Sequence, residues 1–193
     1  MEELENYSKD KLTINLVWAN IFGILILIPI LIIFGFPYYW IWKDGFSIQA
    51  IINGINPVNM AITGLYCYGL IILGIIVHEL IHGIIWAKFA KQGFKSIKFG
   101  VLWKILTPYC HCKEPLTVRQ YIIGAIAPAI VLGLLPAIIA ITIGNIGMLI
   151  FGVFFTMAAG GDFLIINLII KENKNDLVQD HPSECGCYIY RKL

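Results

Sequence analysis

Residues 74–83 read GIIVHELIHG, which places an H-E-x-x-H motif inside a long apolar run. On a helix, His78 and His82 lie four residues apart, so they share one face and can bind a single metal ion. Glu79 lies beside them, in the position of a general base. A charged residue at the centre of a membrane helix costs about 2.5–3.5 kcal/mol. The stretch therefore predicts a metal site on a membrane helix, rather than a chance match or a hydrogen-bonded core histidine.

The composition around this motif is that of an integral membrane protein. Of the 193 residues, 59% are hydrophobic and only 13% are charged, whereas a soluble domain averages about 25% charged residues. The formal net charge of +2 is too small to indicate a nucleic-acid partner. We expect one membrane-embedded unit over residues 1–193, with the lipid bilayer as its surroundings.

Four apolar runs predict four transmembrane helices, at about 13–36, 61–89, 118–143 and 146–170. Residues 1–12 are expected to form a polar tail or a surface helix, and residues 171–193 a polar tail. The shorter run at 46–60, broken by Gly54 and Pro57, predicts a re-entrant or interfacial segment. Residues 95–112 alternate between polar and apolar side chains and predict a β-hairpin. The predicted fold is an all-α membrane protein with a small hairpin between its second and third helices.

Lysine and arginine positions predict the orientation of these helices. The loop between the second and third helices, together with Arg119 at the start of the third, contains six of these residues, whereas only Lys43 lies between the first and second helices. Cytoplasmic loops are enriched in Lys and Arg, so we expect both termini and the hairpin on the cytosolic side. The basic residues assigned to that side are Lys9, Lys11, Lys91, Lys95, Lys98, Lys104, Lys113, Arg119, Lys171, Lys174, Arg191 and Lys192.

A third metal ligand is needed, because a catalytic zinc usually has three protein ligands and one open position. Within the four predicted helices, the only acidic residues are Glu79 and Asp162. His78 lies 17 residues after Ala61 and Asp162 lies 16 after Ile146, so both are about 25 Å from the outer ends of their helices. Asp162 is therefore the predicted third ligand. The alternative is a polar residue near a helix end that is hydrogen-bonded to a neighbour.

The order of these features resembles that of the site-2 proteases, and more specifically a family of zincin peptidases related to them. The motif at His78–His82 is followed by a short strand segment with Ile97–Gly100. A proline-bearing helix (Gly124–Pro128) and an aspartate on the next helix complete the order. Together these features cover residues 61–170.

This resemblance implies that His78, His82 and Asp162 bind Zn²⁺ and that Glu79 is the catalytic acid/base. It implies an intramembrane zinc endopeptidase that hydrolyses peptide bonds of membrane-spanning or membrane-proximal protein substrates with a zinc-activated water. A substrate helix must unwind to expose its carbonyl groups, and we expect that the hairpin could bind such an unwound strand by edge pairing.

Four cysteines form a second constellation. Cys110 and Cys112 lie in the loop and Cys185 and Cys187 in the tail, with His111 and His181 nearby. Thiolates and imidazoles can hold a structural zinc ion, so a second metal site that ties the tail to the loop is possible. Free cytosolic thiols are the alternative, and disulfides do not suit a reducing compartment.

Two other functions remain open from the sequence. One is a metal-binding membrane protein without hydrolysis, such as a transporter, although the charged residues are concentrated at one depth rather than along a path. The other is an inactive relative that binds membrane helices as a regulator, although Glu79 is intact.

Overall fold

Apolar helices make up most of the fold, together with two small antiparallel sheets. The computed structural model describes residues 6–45, 57–102, 107–181 and 184–193. Among these residues, three helical runs are long and apolar enough to cross a membrane: Val17–Gly45, Val58–Phe89 and Val118–Ile143. A bent pair of helices, Ile146–Ala158 and Gly160–Ile169, adds a fourth crossing if the pair forms one broken span. The part of the predicted re-entrant segment at 46–56 lies outside the described residues.

The first helical run is longer than predicted. It consists of α1 (Leu16–Leu25), α2 (Leu27–Ile30), a π-helical segment (Leu31–Gly35), α3 (Phe36–Trp42) and a 3₁₀ turn (Lys43–Gly45). Asn15 caps its start, because its side-chain oxygen accepts hydrogen bonds from the backbone N–H groups of Val17 and Trp18. The aromatic residues of α3 lie beyond the predicted end of this helix at about residue 36 and continue it.

The π-helical segments have a common cause in proline. Pro37 lies two residues after the first segment ends at Gly35, and Pro136 lies two residues after the second, Ala129–Leu134. Proline has no N–H to donate and its ring clashes with the carbonyl four residues earlier, so the preceding turn widens.

The second helical run, α4 (Pro57–Phe89), carries the H-E-x-x-H motif and leads directly into the hairpin. A 3₁₀ turn at Gly93–Ser96 reverses the chain, and Gly93 there has a φ of 59°, which favours glycine. Strands β2 (Ile97–Leu102) and β3 (Thr107–Cys112) then pair antiparallel, with Ile97 opposite Cys112. The predicted hairpin is therefore present.

The third and fourth helical runs pack closely together. After β4 (Leu116–Thr117), the third run contains α5 (Val118–Pro128), the π-helical segment Ala129–Leu134 and α6 (Leu135–Ile143). The fourth contains α7 (Ile146–Ala158) and α8 (Gly160–Ile169), which are bent by 41° relative to each other. A Cβ atom on Gly152 would lie 2.7 Å from the backbone nitrogen of Ala137, so glycine is needed at this helix contact.

The polar ends of the chain form a sheet that was not predicted. Residues expected to form tails contribute β1 (Tyr7–Thr13), β5 (Leu177–Asp180) and β6 (Gly186–Lys192). With β4 they make an antiparallel sheet in the order β1-β6-β5-β4, in which Tyr7 lies opposite Lys192. The fold is thus mainly helical, but it is not an all-α protein with a single hairpin.

The buried core lies where this sheet meets the ends of the apolar helices. Trp86 of α4, Tyr121 of α5, Ile169 of α8, and Val178 and Ile189 of the sheet belong to one buried cluster. Along the helices, by contrast, many large apolar side chains remain exposed, including Leu65, Ile130 and Ile150. A surface of this kind suits lipid rather than water.

Candidate metal centre

Two histidines and one aspartate converge between α4 and α8. The Nε2 atom of His78 lies 3.2 Å from one carboxylate oxygen of Asp162, and the Nε2 atom of His82 lies 3.3 Å from the other. One ligand atom from each of these residues can be chosen so that all lie within 4.8 Å of one another. The structure therefore brings together the three residues that the sequence suggested as a metal-ligand set.

The helix break between α7 and α8 places Asp162 in this group. α8 begins at Gly160, and Asp162 lies in its first turn. The first turn of a helix favours a carboxylate, because its unpaired N–H groups give that end a partial positive charge. Gly160 also faces α1, since a Cβ atom there would lie 3.8 Å from the Cα atom of Gly23, whereas Gly161 faces open space.

The hydrogen bonding of His82 fits a metal ligand. Its Nδ1 atom lies 2.9 Å from the carbonyl oxygen of Gly124. Since a carbonyl can only accept, Nδ1 carries a proton, and in the neutral ring Nε2 is then the nitrogen that can bind a metal, on the side of Asp162. A metal-binding histidine commonly donates its other N–H to such a backbone oxygen.

The spacing and the donor types also fit zinc. Ligand atoms about 2.0–2.1 Å from a tetrahedral zinc ion are separated from each other by roughly 3.3 Å, close to the two His–Asp separations. Two imidazoles and one carboxylate form a donor set that zinc hydrolases use, and such a set leaves the fourth position open. The residues present therefore fit a catalytic zinc ion.

Two aromatic side chains support the histidine from behind. The ring of Trp86 stacks on the ring of His82, with centroids 5.0 Å apart. The ring of Tyr121 stacks in turn on that of Trp86, also with centroids 5.0 Å apart. The indole N–H of Trp86 donates to the carbonyl oxygen of Tyr121, at 3.1 Å. A Cβ atom on Gly124 would lie 2.1 Å from this indole nitrogen. The glycine thus lets α5 approach closely enough for its carbonyl to accept from His82.

Glu79 lies beside the metal ligands and next to the hairpin. Its carboxylate lies near the backbone N–H of Cys110 in β3 and is close to both His78 and His82. The helix therefore supplies the candidate base, and the strand lies next to it. The same contact places β3 at the edge of the candidate site.

The four cysteines do not form a comparable group among the described residues, where the His78, His82 and Asp162 set is the one group found that could hold a metal ion. Cys112 and Cys187 are buried in the core cluster, while Cys185 is exposed. Burial raises the pKa of Cys112 to about 11 and that of Cys187 to about 12, which keeps both as neutral thiols. Their placement suits apolar packing, and a second zinc site remains only a sequence prediction.

Comparison with known families agrees with this geometry. A family described as "putative zincin peptidase" matches residues 71–177, more than half of the chain. The chain belongs to this family. Membership supports a zinc metallopeptidase in general terms, and the matched region contains the H-E-x-x-H motif, the hairpin and Asp162. No curated protein and no solved structure matched this chain.

Several residues around the centre were not identified from the sequence. Trp86 follows His82 by four residues and therefore lies on the same helix face, a spacing that could have revealed it. Gly124 lies within the proline-bearing segment already singled out, but no pattern indicated that its carbonyl would accept from a histidine. Asp180 reaches the core from β5, where it accepts from the hydroxyl of Tyr121 and the backbone N–H of Cys112. No local pattern pointed to that role.

Proposed function

We propose that the chain is an intramembrane zinc endopeptidase of the site-2-protease type, which hydrolyses membrane-spanning or membrane-proximal substrates. The observation that carries this proposal is the position of the His78, His82 and Asp162 group on two apolar helical runs. Ionisable groups at membrane depth are costly and are usually functional. Family membership supplies the peptidase class, and the helices supply the case for action within the membrane.

The depth of the site supports access from one side of the membrane. His82 lies seven residues before the end of α4 at Phe89, which corresponds to about 10 Å at 1.5 Å per residue. From Pro57 to His78 the same helix extends roughly 30 Å. The site thus lies nearer to the hairpin end of the helix, which the basic loops assign to the cytosol. Water for hydrolysis would enter from that end.

The chemistry divides between the metal and the chain. A bound zinc ion supplies Lewis-acid polarisation and makes water acidic enough to be deprotonated near neutral pH. His78, His82 and Asp162 would hold the ion, and the Gly124 carbonyl fixes the ring of His82. Glu79, which lies near the backbone N–H of Cys110, would take a proton from the attacking water and deliver it to the leaving amine.

The substrate must be presented as an extended strand, because a helix hides its carbonyl groups in its own hydrogen bonds. The hairpin offers backbone groups at its edges and packs directly on α4: a Cβ atom on Gly83 would lie 2.5 Å from the ring of Phe99. Edge pairing with an unwound segment would place its carbonyl beside His82 and Glu79. Proline substitutions along residues 97–101 should therefore lower the rate of cleavage while changing the affinity for zinc much less.

The test is the Glu79→Gln variant in purified protein reconstituted with a single-span substrate. The variant should bind zinc as the wild type does and lose cleavage, because an amide cannot accept the water's proton. Glu184→Gln, which removes an exposed carboxylate far along the chain, is the matched control and should cleave normally. Equal processing by wild type and Glu79→Gln would contradict the proposal and favour a non-hydrolytic metal-binding protein.

A further inference from the structure

A basic pocket lies on the face of the hairpin that points away from the metal centre. It has a volume of about 250 Å³ and is lined by Lys98, Tyr109, His111 and Lys113. Lys98 lies directly opposite His111 in the β2–β3 pairing, and Gly100 lies opposite Tyr109. Alternate residues of a strand point to the same face, so Tyr109 and His111 share one side with Lys98. Neither the peptidase chemistry nor the zinc ligands use these side chains.

The shape of the pocket depends on Gly100. A Cβ atom there would lie 2.5 Å from the hydroxyl oxygen of Tyr109, so the tyrosine ring lies across β2 only because this residue is glycine. The phenol hydroxyl is thereby held at the hairpin surface, between the two strands. A donor group next to two exposed lysines suits an anionic ligand with several oxygen atoms.

The charges around the pocket favour an anion. Both lysines are exposed, and none of the four lining residues is acidic. The carboxylate closest to His111 is that of Asp180, 3.9 Å from Nδ1, and it is already engaged by Tyr121 and the backbone N–H of Cys112. Because Asp180 lies on the Nδ1 side of the ring, Nε2 is the nitrogen available to a ligand.

If the apolar helices cross a membrane, the hairpin at the end of α4 would lie at the level of the lipid headgroups. Ile97 and Phe99 contact α4 at Gly83, one residue after His82. Phe94, Phe99 and Val101 are large apolar side chains that remain exposed around the hairpin. A two-faced hairpin at the end of a membrane-crossing helix would bury its apolar side chains in lipid and leave its basic face among the phosphates.

We propose that this pocket binds the phosphate of an anionic phospholipid headgroup. Lys98 and Lys113 would provide the charge, and Tyr109 and His111 would donate hydrogen bonds to the phosphate oxygens. A lipid bound there would hold the hairpin at a fixed height above the metal centre. The inference depends on the membrane placement of the helices, but it does not require that the protein hydrolyses peptides.

The experiment measures lipid binding rather than activity. Full-length protein in neutral detergent is titrated with phosphatidylglycerol or phosphatidylcholine, and binding is followed through the rise in Tm. The Lys98→Gln/Lys113→Gln variant should bind phosphatidylglycerol at least tenfold more weakly than the wild type. The matched control, Lys171→Gln/Lys174→Gln, removes two lysines from the same predicted side of the membrane and should change binding less than twofold.

Three results would overturn the proposal. Equal loss in both double variants would indicate general charge attraction, and unchanged binding in both would exclude the pocket. Displacement of phosphatidylglycerol by millimolar inorganic phosphate would indicate a site for small free anions instead of a lipid. Zinc content shows whether the Lys98→Gln/Lys113→Gln variant folds. If it does not fold, the Tyr109→Phe variant is tested instead. A several-fold weaker binding of phosphatidylglycerol by Tyr109→Phe would support the pocket, and unchanged binding would contradict it.

Discussion

Among single residues, Gly124 has a larger role in the metal centre than its lack of a side chain suggests. It makes room for the indole of Trp86, and its carbonyl accepts the Nδ1 proton of His82. The proton position matters because it decides which nitrogen of the histidine is left for the metal. The centre therefore depends on the contact between α4 and α5 as well as on its three ligands.

Gly124→Ala should weaken zinc binding by about 10- to 100-fold, the usual effect of disturbing a residue that orients a metal ligand. The new methyl group would displace Trp86, and with it the ring of His82. Competition with a zinc chelator measures the change. Gly69→Ala, on α4 with nothing within 4 Å of the added Cβ, is the control, and the prediction is wrong if both variants bind zinc equally.

Asp162→Ala should abolish the stabilisation that zinc provides. A ligand that binds only the folded state raises stability as its concentration exceeds its Kd. Removing zinc with a chelator should therefore lower the Tm of the wild type and leave that of the variant nearly unchanged. The comparison is made by thermal unfolding in detergent. An equal chelator effect on both proteins would show that Asp162 is not a ligand.

At this scale, the sequence identified the residues with distinctive chemistry and missed those that act through position. His78, Glu79 and His82 form a recognisable motif, and Asp162 was conspicuous as an acidic residue in an apolar run. Trp86 and Tyr121 look like ordinary aromatic residues of membrane helices. A backbone carbonyl such as that of Gly124 has no side-chain signal at all.

Among the structural elements, the third and fourth helical runs approach each other closely enough for their backbones to touch. Gly152 of α7 lies against the backbone of Ala137 and the carbonyl oxygen of Gly133, 2.7 and 2.8 Å from where a Cβ atom would be. Backbone atoms cannot move aside as a flexible side chain can. The two helices would have to separate to admit a methyl group.

Gly152→Ala should therefore destabilise the protein by about 1–3 kcal/mol, the usual cost of overpacking a well-packed contact. Gly147→Ala, on the same helix, meets only the side-chain oxygen of Asn145 at 3.4 Å, and should be neutral or slightly stabilising because alanine favours helix. Unfolding in a denaturing detergent measures both. A Gly152→Ala variant as stable as Gly147→Ala would contradict the close contact.

The helical runs and the hairpin were predictable because each depends on a local pattern. Uninterrupted apolar residues marked the runs, and alternation over residues 95–112 marked the hairpin. The π-helical segments were not predicted, although Pro37 and Pro136 are visible in the sequence, because proline can also kink or end a helix. The end of the first run was placed too early, since an aromatic cluster suits either a membrane interface or a continuing helix.

For the whole molecule, the four-stranded sheet joins both ends of the described chain to the apolar helices. Arg191 of β6 connects these parts, because its guanidinium donates to Glu172 just after α8, at 2.8 and 2.7 Å, and to Asp10 in β1. The sheet thereby holds the end of the helix that carries Asp162. Its stability should bear on the metal centre although it contributes no ligand.

Acid should loosen this connection. The hydrogen bonds from Arg191 lower the pKa of Glu172 below its ordinary value of 4.5. A carboxyl whose pKa is lower in the folded state stabilises the fold above its unfolded pKa, and this contribution is lost as the pH falls through the folded value. The wild type should therefore lose more stability between pH 5 and 3 than Arg191→Gln does.

Thermal unfolding at several pH values measures this difference. Because the pair is partly exposed, we expect an effect on the order of 1 kcal/mol or less. Lys192→Gln, which removes the neighbouring positive charge, is the control and should follow the wild-type profile. Parallel profiles for wild type and Arg191→Gln would show that the pair contributes nothing.

The sheet could not be predicted because its pairing is not local. β1 is mostly polar, with Leu12 as its one aliphatic side chain, and its partner β6 lies at the other end of the sequence. β6 does show the alternation of a strand, since Cys187 and Ile189 are buried and alternate with more exposed residues. In the sequence, however, a short strand without a nearby partner looks like a polar tail. Only the tertiary contact between the two ends shows that either forms a strand.

The pairing of β1 with β6 also sets the order in which the protein can be completed during synthesis. The apolar helices leave the ribosome before β6 does, so β1 must wait for its partner until residues 186–192 have been translated. Asp180, which holds Tyr121 and the hairpin strand next to Glu79, arrives only shortly before them. A nascent chain could therefore contain His78, His82 and Asp162 while the support around them is still missing, so full zinc affinity should appear only after β6 has been made.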